Sequence, residues 1–108
     1  MWHDAPFPDK LVAQVRQALA PGGVWLIGDM NNADGVRANI RFNPGAKVGW
    51  AISSCLCLAC GMSEEGGAGL GTLGLTVSVA RRLLAAGGFG DVKVLMEEGI
   101  HRWFEVAA

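Results

Sequence analysis

The stretch Pro21-Gly22-Gly23-Val24-Trp25-Leu26-Ile27-Gly28-Asp29 constrains the fold more than any other in this chain. A helix cannot run through Pro-Gly-Gly, because proline has no N–H to donate and glycine takes the left-handed C′ position without steric cost. Four large apolar residues, Val24 to Ile27, follow with no polar alternation. That pattern predicts a short strand over 24–28, buried on both faces as in a parallel sheet covered by helices. Gly28-Asp29 ends the strand and sets a carboxylate at its C-terminal tip. In open α/β sheets this is the edge where ligands sit.

The flanking patterns supply partners for the strand. Leu11, Val12, Val15, Ala18 and Leu19 recur at spacings of three and four, with Lys10, Gln14, Arg16 and Gln17 opposite them. An amphipathic helix is predicted over 9–20, with Pro8 suited to its first position. Residues 31–43 are polar and read as a loop with one helical turn at 36–40. A helix apolar nearly all round is expected over 48–59, ending at Gly61. The glycine-rich run 62–74 then has the length of a functional lid. Thr76 caps a helix to Ala86, with Val79, Leu83 and Ala86 facing inward. Phe89 opens a strand with Val92, Val94 and Met96 on one face. Beyond a turn at Gly99, a partner strand over 101–106 points Trp103 and Phe104 to opposite sides. These last two strands are expected to pair antiparallel beside the strand at 24–28.

Length and charge narrow the function classes. A chain of 108 residues is one small domain. Nine basic residues against ten acidic ones leave a net charge of −1, so no basic footprint for nucleic acid exists. Met1 leads into Trp2-His3-Asp4 rather than a basic and then apolar leader. The uncharged run 48–63 is shorter than the about 20 apolar residues a membrane span needs. No membrane role is expected, and a cytoplasmic location with its three cysteines reduced is.

Two segments, His3-Asp4-Ala5-Pro6-Phe7-Pro8 and Ala18-Leu19-Ala20-Pro21-Gly22-Gly23-Val24-Trp25-Leu26-Ile27, resemble the late motifs of class I S-adenosylmethionine-dependent methyltransferases. Ser63 to Gly74 resembles the loop before the last helix in an actinobacterial-type branch, whose members often carry an N-terminal winged-helix region. Ala85-Ala86-Gly87-Gly88-Phe89 resembles the step into that family's sixth strand. The resemblance spans essentially the whole chain. It implies an α/β, partial Rossmann-like fold, with residues 1–108 as the C-terminal part of a catalytic domain in a three-layer arrangement. There the last strand inserts antiparallel beside an otherwise parallel sheet. The implied activity is methyl transfer to an oxygen, or a nitrogen, of a small-molecule acceptor, with S-adenosylmethionine as cofactor. The family's glycine-rich donor loop and ribose-binding acid have no counterpart here and are expected before residue 1. A complementing N-terminal half, or a homodimer through the exposed sheet edge, is the expected partner. Activity of the isolated chain is not expected.

The resemblance makes His3 the base that removes the acceptor's proton; a positioned base contributes about 10²–10⁴-fold. The alternatives are that His3 and Asp4 contact the cofactor's adenine or ribose, that His3 caps the next helix, or that it stays unpacked. Asp29 either orients His3 or the acceptor, or caps the following turn. Trp50 and Met62 wall an acceptor pocket or belong to the core. Gly69-Leu70-Gly71-Thr72-Leu73-Gly74 fits a dinucleotide fingerprint, but no strand precedes it as that role requires. A nucleotide-binding domain using 66–74 is therefore the weakest reading, behind a non-catalytic module that pairs through its sheet edge. On a helix, Cys55 and Cys57 lie about 200° apart and Cys60 about 140° from Cys55. They diverge, and both histidines are distant in sequence. All three thiols read as buried small hydrophobes, and no metal is expected.

Overall fold

The computed structural model describes residues 1–108. A 3-10 turn, Trp2–Asp4, leads to α1 (Pro8–Ala18) and β1 (Val24–Met30). Next come α2 (Gly35–Phe42), α3 (Ala46–Ile52), a π-helical turn at Ser53–Cys57, and α4 (Leu58–Gly61). A loop then reaches α5 (Val77–Ala86), and β2 (Val92–Glu98) and β3 (His101–Ala107) close the chain. No helix is long and apolar enough to cross a membrane.

The three strands form one sheet in the order β1-β3-β2, with β3 antiparallel to both neighbours. β1 and β2 therefore run parallel to each other with the last strand between them. Ile27 lies opposite Phe104, and Asp29 opposite Arg102. On that face Ile27, Phe104 and Val106 join Val12 of α1, Ala80 and Leu84 of α5, and Leu75, Phe89 and Val92 in one core. Trp2 enters the same core and tilts against Trp25 at 5.6 Å between ring centroids. Trp25 in turn meets Phe89 at 5.8 Å. Aromatic pairs in such tilted arrangements are favourable beyond the area they bury. The N-terminal turn is thus packed onto β1, not left loose.

Several expectations need correction. β1 is buried on one face only: Val24 is 50 % and Leu26 60 % exposed. The reason is that α1 and α5 pack on each other over the same side of the sheet. The opposite side, with Leu26 and Trp103, faces solvent, so the layers number two and not three. The polar stretch after β1 holds a full eight-residue helix rather than a single turn. Its first turn is wrapped by Asn39, whose amide donates to the carbonyls of Ala33 (2.7 Å) and Gly35 (2.8 Å) and accepts from Ala33 N–H (3.0 Å). Helical residues 46–61 bury only Ala46, Gly49, Ser53, Cys57 and Gly61, so Val48, Ile52 and Leu56 are exposed. On α5 the buried stripe is Ala80 and Leu84, one residue beyond the expected set. A bulge between Val94 and Met96 breaks the alternation of β2 and sets Met96 opposite Trp103.

Thr76 caps α5 as expected, its hydroxyl accepting from Val79 N–H at 3.3 Å. Asp34 reaches across to the same helix start, accepting from the Ser78 hydroxyl at 2.7 Å. Hydrogen bonds from Thr76 and then Ser78 hold the Asp34 carboxyl below its ordinary value of 3.8. A carboxyl lowered in this way stabilises the fold above its unfolded pKa, and the contribution disappears as pH falls through the folded value. Carbon-detected NMR titration of Asp34 is expected to give a midpoint below 3.8, rising in Ser78→Ala; an unmoved midpoint contradicts the link.

At the far end of α5, Gly87 lets α1 approach closely, because a Cβ there would overlap Val12 Cγ1. Val12 is fully buried and β-branched, with no rotamer to yield into. Gly87→Ala is expected to cost about 1–3 kcal/mol in urea unfolding, as overpacking does. A wild-type midpoint would show that the α1–α5 contact is looser than described.

Candidate functional site

Asp29, the last residue but one of β1, has a side chain with no exposure to solvent. Strand alternation turns it to the same face as Ile27, toward the N-terminal turn. It accepts from the backbone N–H of His3 at 3.1 Å and from that of Met30 at 2.7 Å, and from His3 Nδ1 in a short hydrogen bond. A carboxylate oxygen accepts, so Nδ1, the ring nitrogen that faces Asp29, is the donor of this hydrogen bond. His3 itself is 2 % exposed. The fold therefore brings together two residues singled out in the sequence, 26 positions apart, in the arrangement that fixes an imidazole's orientation and tautomer.

The other side of the ring was not legible. Nε2 lies 3.3 Å from Cys57 Sγ and 3.3 Å from Asp4 Oδ1. The second Asp4 oxygen is paired with the N-terminal ammonium at 3.3 Å. Cys57 is the last residue of the π-helical turn, a widened turn found often at functional sites. Burial pushes its thiol above the ordinary value of 9.0, the Thr72 hydroxyl draws it back, and Asp4 adds to the rise. The thiol is thus protonated near neutral pH. A reactive cysteine is usually shifted the opposite way. Apart from the Cys57 thiol, the buried Thr72 Oγ1 has no partner.

The long loop belongs to the same assembly. Ala68 N–H donates to Pro6 O at 2.7 Å, Gly69 N–H to Gly61 O at 3.2 Å, and Thr72 N–H to Ser53 Oγ at 3.2 Å. Gly71 has φ +78, and a Cβ there would strike Ser53 Oγ. The segment is a fastened strap over the helical residues 46–61. It follows a helix and a turn, without the strand a dinucleotide fingerprint requires.

The remaining candidates separate. Trp50 lines a cavity of about 250 Å³ with Val36, Asn39, Leu58 and Leu70. Met62 is 65 % exposed and covers Gly69, away from the walls of that cavity. A larger cavity of about 430 Å³ opens past the C-terminal end of β1, lined by Asn31, Asn32, Phe42, Leu73 and Arg102. Neither His3 nor Asp29 reaches it. Sequence reasoning missed Arg102, a buried guanidinium that donates to Glu97 (2.8 Å), to Asn32 Oδ1 (2.9 Å) and O (2.6 Å), and to Asn31 (3.0 Å). The alternation of β3, with Arg102 in phase with Phe104, was the available signal. The cysteines diverge as expected, but only Cys57 is buried; Cys55 and Cys60 are exposed.

No protein-family model matches this chain, and no curated protein matches it significantly.

Removing the Asp29 carboxylate takes the acceptor from two buried donors of His3 and from the part-buried N–H of Met30. Asp29→Ala is expected to lose about 2–5 kcal/mol in urea unfolding, since each buried donor left unsatisfied costs about 1–3 kcal/mol. A loss under about 1 kcal/mol, the worth of one ordinary hydrogen bond, contradicts the assigned contacts.

Proposed function

We propose that this chain is the acceptor-side part of a class I S-adenosylmethionine-dependent methyltransferase domain acting on an oxygen, or a nitrogen, of a small molecule. The observation that carries the reading is the strand order: a final strand lying antiparallel between two mutually parallel ones. It is the arrangement that the motif resemblance implies for the end of the domain. The meeting of His3 and Asp29 at the tip of β1 supports it further.

In this reading Asp29 holds the Nδ1 proton of His3, and Nε2 takes the proton of the acceptor hydroxyl as its oxygen becomes nucleophilic. A neutral alcohol is a weak nucleophile, and a base poised near neutral pH meets that need. The acceptor approaches from the side of Asp4, which is a third exposed where Cys57 is buried. S-adenosylmethionine would supply an electrophilic sulfonium methyl. The residues present do not form a pocket for it: His3 is enclosed, Asp4 pairs with the N-terminus, and the glycine-rich strap is closed by its own backbone bonds. Donor binding thus falls to a complementing half. The open edge of β1 and the exposed Val24 and Leu26 are the surface it would cover. An unpaired strand edge of this kind readily accepts another strand.

Calorimetry with S-adenosylhomocysteine is expected to give no binding to the chain alone, and binding once a polypeptide carrying a strand and glycine-rich loop is added. Transfer of labelled methyl to small hydroxylated acceptors should then fall about 10²–10⁴-fold in His3→Ala, with cofactor affinity unchanged. Tight binding by the chain alone, or no transfer by the complemented protein, would overturn the reading; an undiminished rate in His3→Ala would remove the base.

A further inference from the structure

Three electron-rich atoms converge at one point of this molecule: His3 Nε2, Cys57 Sγ and Asp4 Oδ1. They all lie within 4.8 Å of one another, and both distances from Nε2 are 3.3 Å. Zinc bonds of about 2.0–2.3 Å to N, O and S at tetrahedral angles place neighbouring ligand atoms about 3.3–3.6 Å apart. The spacing around Nε2 is thus already close to that of a loaded site. We propose that His3, Cys57 and Asp4 form a zinc-binding site with three protein ligands and an open fourth position.

Four further observations support it. Nδ1 of His3 is held by the buried Asp29 carboxylate, the outer partner that metal-bound histidines nearly always have. Thr72 carries a buried hydroxyl beside Cys57, with no partner apart from that thiol. Loss of the thiol proton on metal binding would give that hydroxyl an acceptor. The π-helical turn delivers Cys57 toward His3 while Cys55 and Cys60 face outward. Finally, the donor set of one imidazole, one thiolate and one carboxylate selects zinc over the hard cations magnesium and calcium. The binding step balances simply: one zinc ion enters, one proton leaves Cys57, and Nε2 and Oδ1 donate lone pairs.

The site stands on this geometry and not on the methyltransferase reading. The two make one joint statement, because zinc and an acceptor's proton contend for the same lone pair on Nε2. A loaded site would have no free base.

The test uses the full, untagged chain freed of metal, with cobalt(II) as spectroscopic probe and zinc in calorimetry. One ion per chain is expected, with a thiolate-to-cobalt charge-transfer band in the near ultraviolet and the strong visible absorption of tetrahedral cobalt. Cys57→Ser should abolish the charge-transfer band, whereas Cys55→Ser with Cys60→Ser should leave it. Asp29→Asn should weaken zinc about 10–100-fold, the usual effect of losing an outer-shell partner. Should Cys57→Ser fail to fold, the wild-type chain serves instead: zinc is expected to slow alkylation of Cys57 alone, mapped by mass spectrometry. Absence of the band, its persistence in Cys57→Ser, its loss in the double variant, or a Cys57 alkylation rate that zinc does not change would overturn the site. None of these readouts involves a methyl donor, so their failure leaves the preceding reading untouched.

Discussion

A carboxylate with no access to water, gripping an imidazole from the opposite end of the N-terminal segment, is the interaction on which the rest of this structure depends. Asp29 accepts from His3 twice and from Met30 once. Burying an unpaired carboxylate is costly enough that it would otherwise neutralise. The N-terminal turn is therefore not an appendage; it completes the hydrogen bonding of β1. Trp2, one residue earlier, contributes the apolar half of the same contact by stacking against Trp25. Polar satisfaction and aromatic packing thus pin one short segment from two sides.

Once that turn is pinned, the positions of the other groups follow. Pro6 sits where its carbonyl receives Ala68 N–H, and this fastens the glycine-rich strap. The strap carries Thr72 and Leu73 over the helical residues 46–61, and the π-helical turn there brings Cys57 to His3. The larger cavity lies on the other side, past the C-terminal end of β1 and beside Arg102. The molecule thus keeps His3, Asp29 and Cys57 in an enclosed cluster and its larger open volume elsewhere. In that cluster His3 Nε2 is flanked by Cys57 Sγ and Asp4 Oδ1, each at 3.3 Å.

Much of the frame was legible in the chain. Pro21-Gly22-Gly23 marks the end of α1 and the start of β1 because backbone chemistry there is local. The same holds for Thr76 as a cap and for the opposite facing of Trp103 and Phe104. Burial on both faces of β1 was not borne out, since an apolar run specifies affinity for a partner and not that one is present. Asn39 turned a polar loop into a helix through side-chain bonds that no hydropathy pattern records. At the site, the residues His3 and Asp29 were legible, but Cys57 was not. Helical angles at 100° per residue treat the cysteines as one another's partners, and its true neighbour is 54 positions away. Divergence among the three thiols was correctly read; that one of them would find a histidine depends on tertiary contacts alone.

The central claim, that Asp29 fixes the His3 ring with its proton on Nδ1, is tested most directly by nitrogen-15 NMR of the imidazole in metal-free protein near neutral pH. A protonated Nδ1 is expected, with a downfield, slowly exchanging proton that loses its protection in Asp29→Ala. A ring whose proton sits on Nε2, or one averaging freely between tautomers, would contradict it.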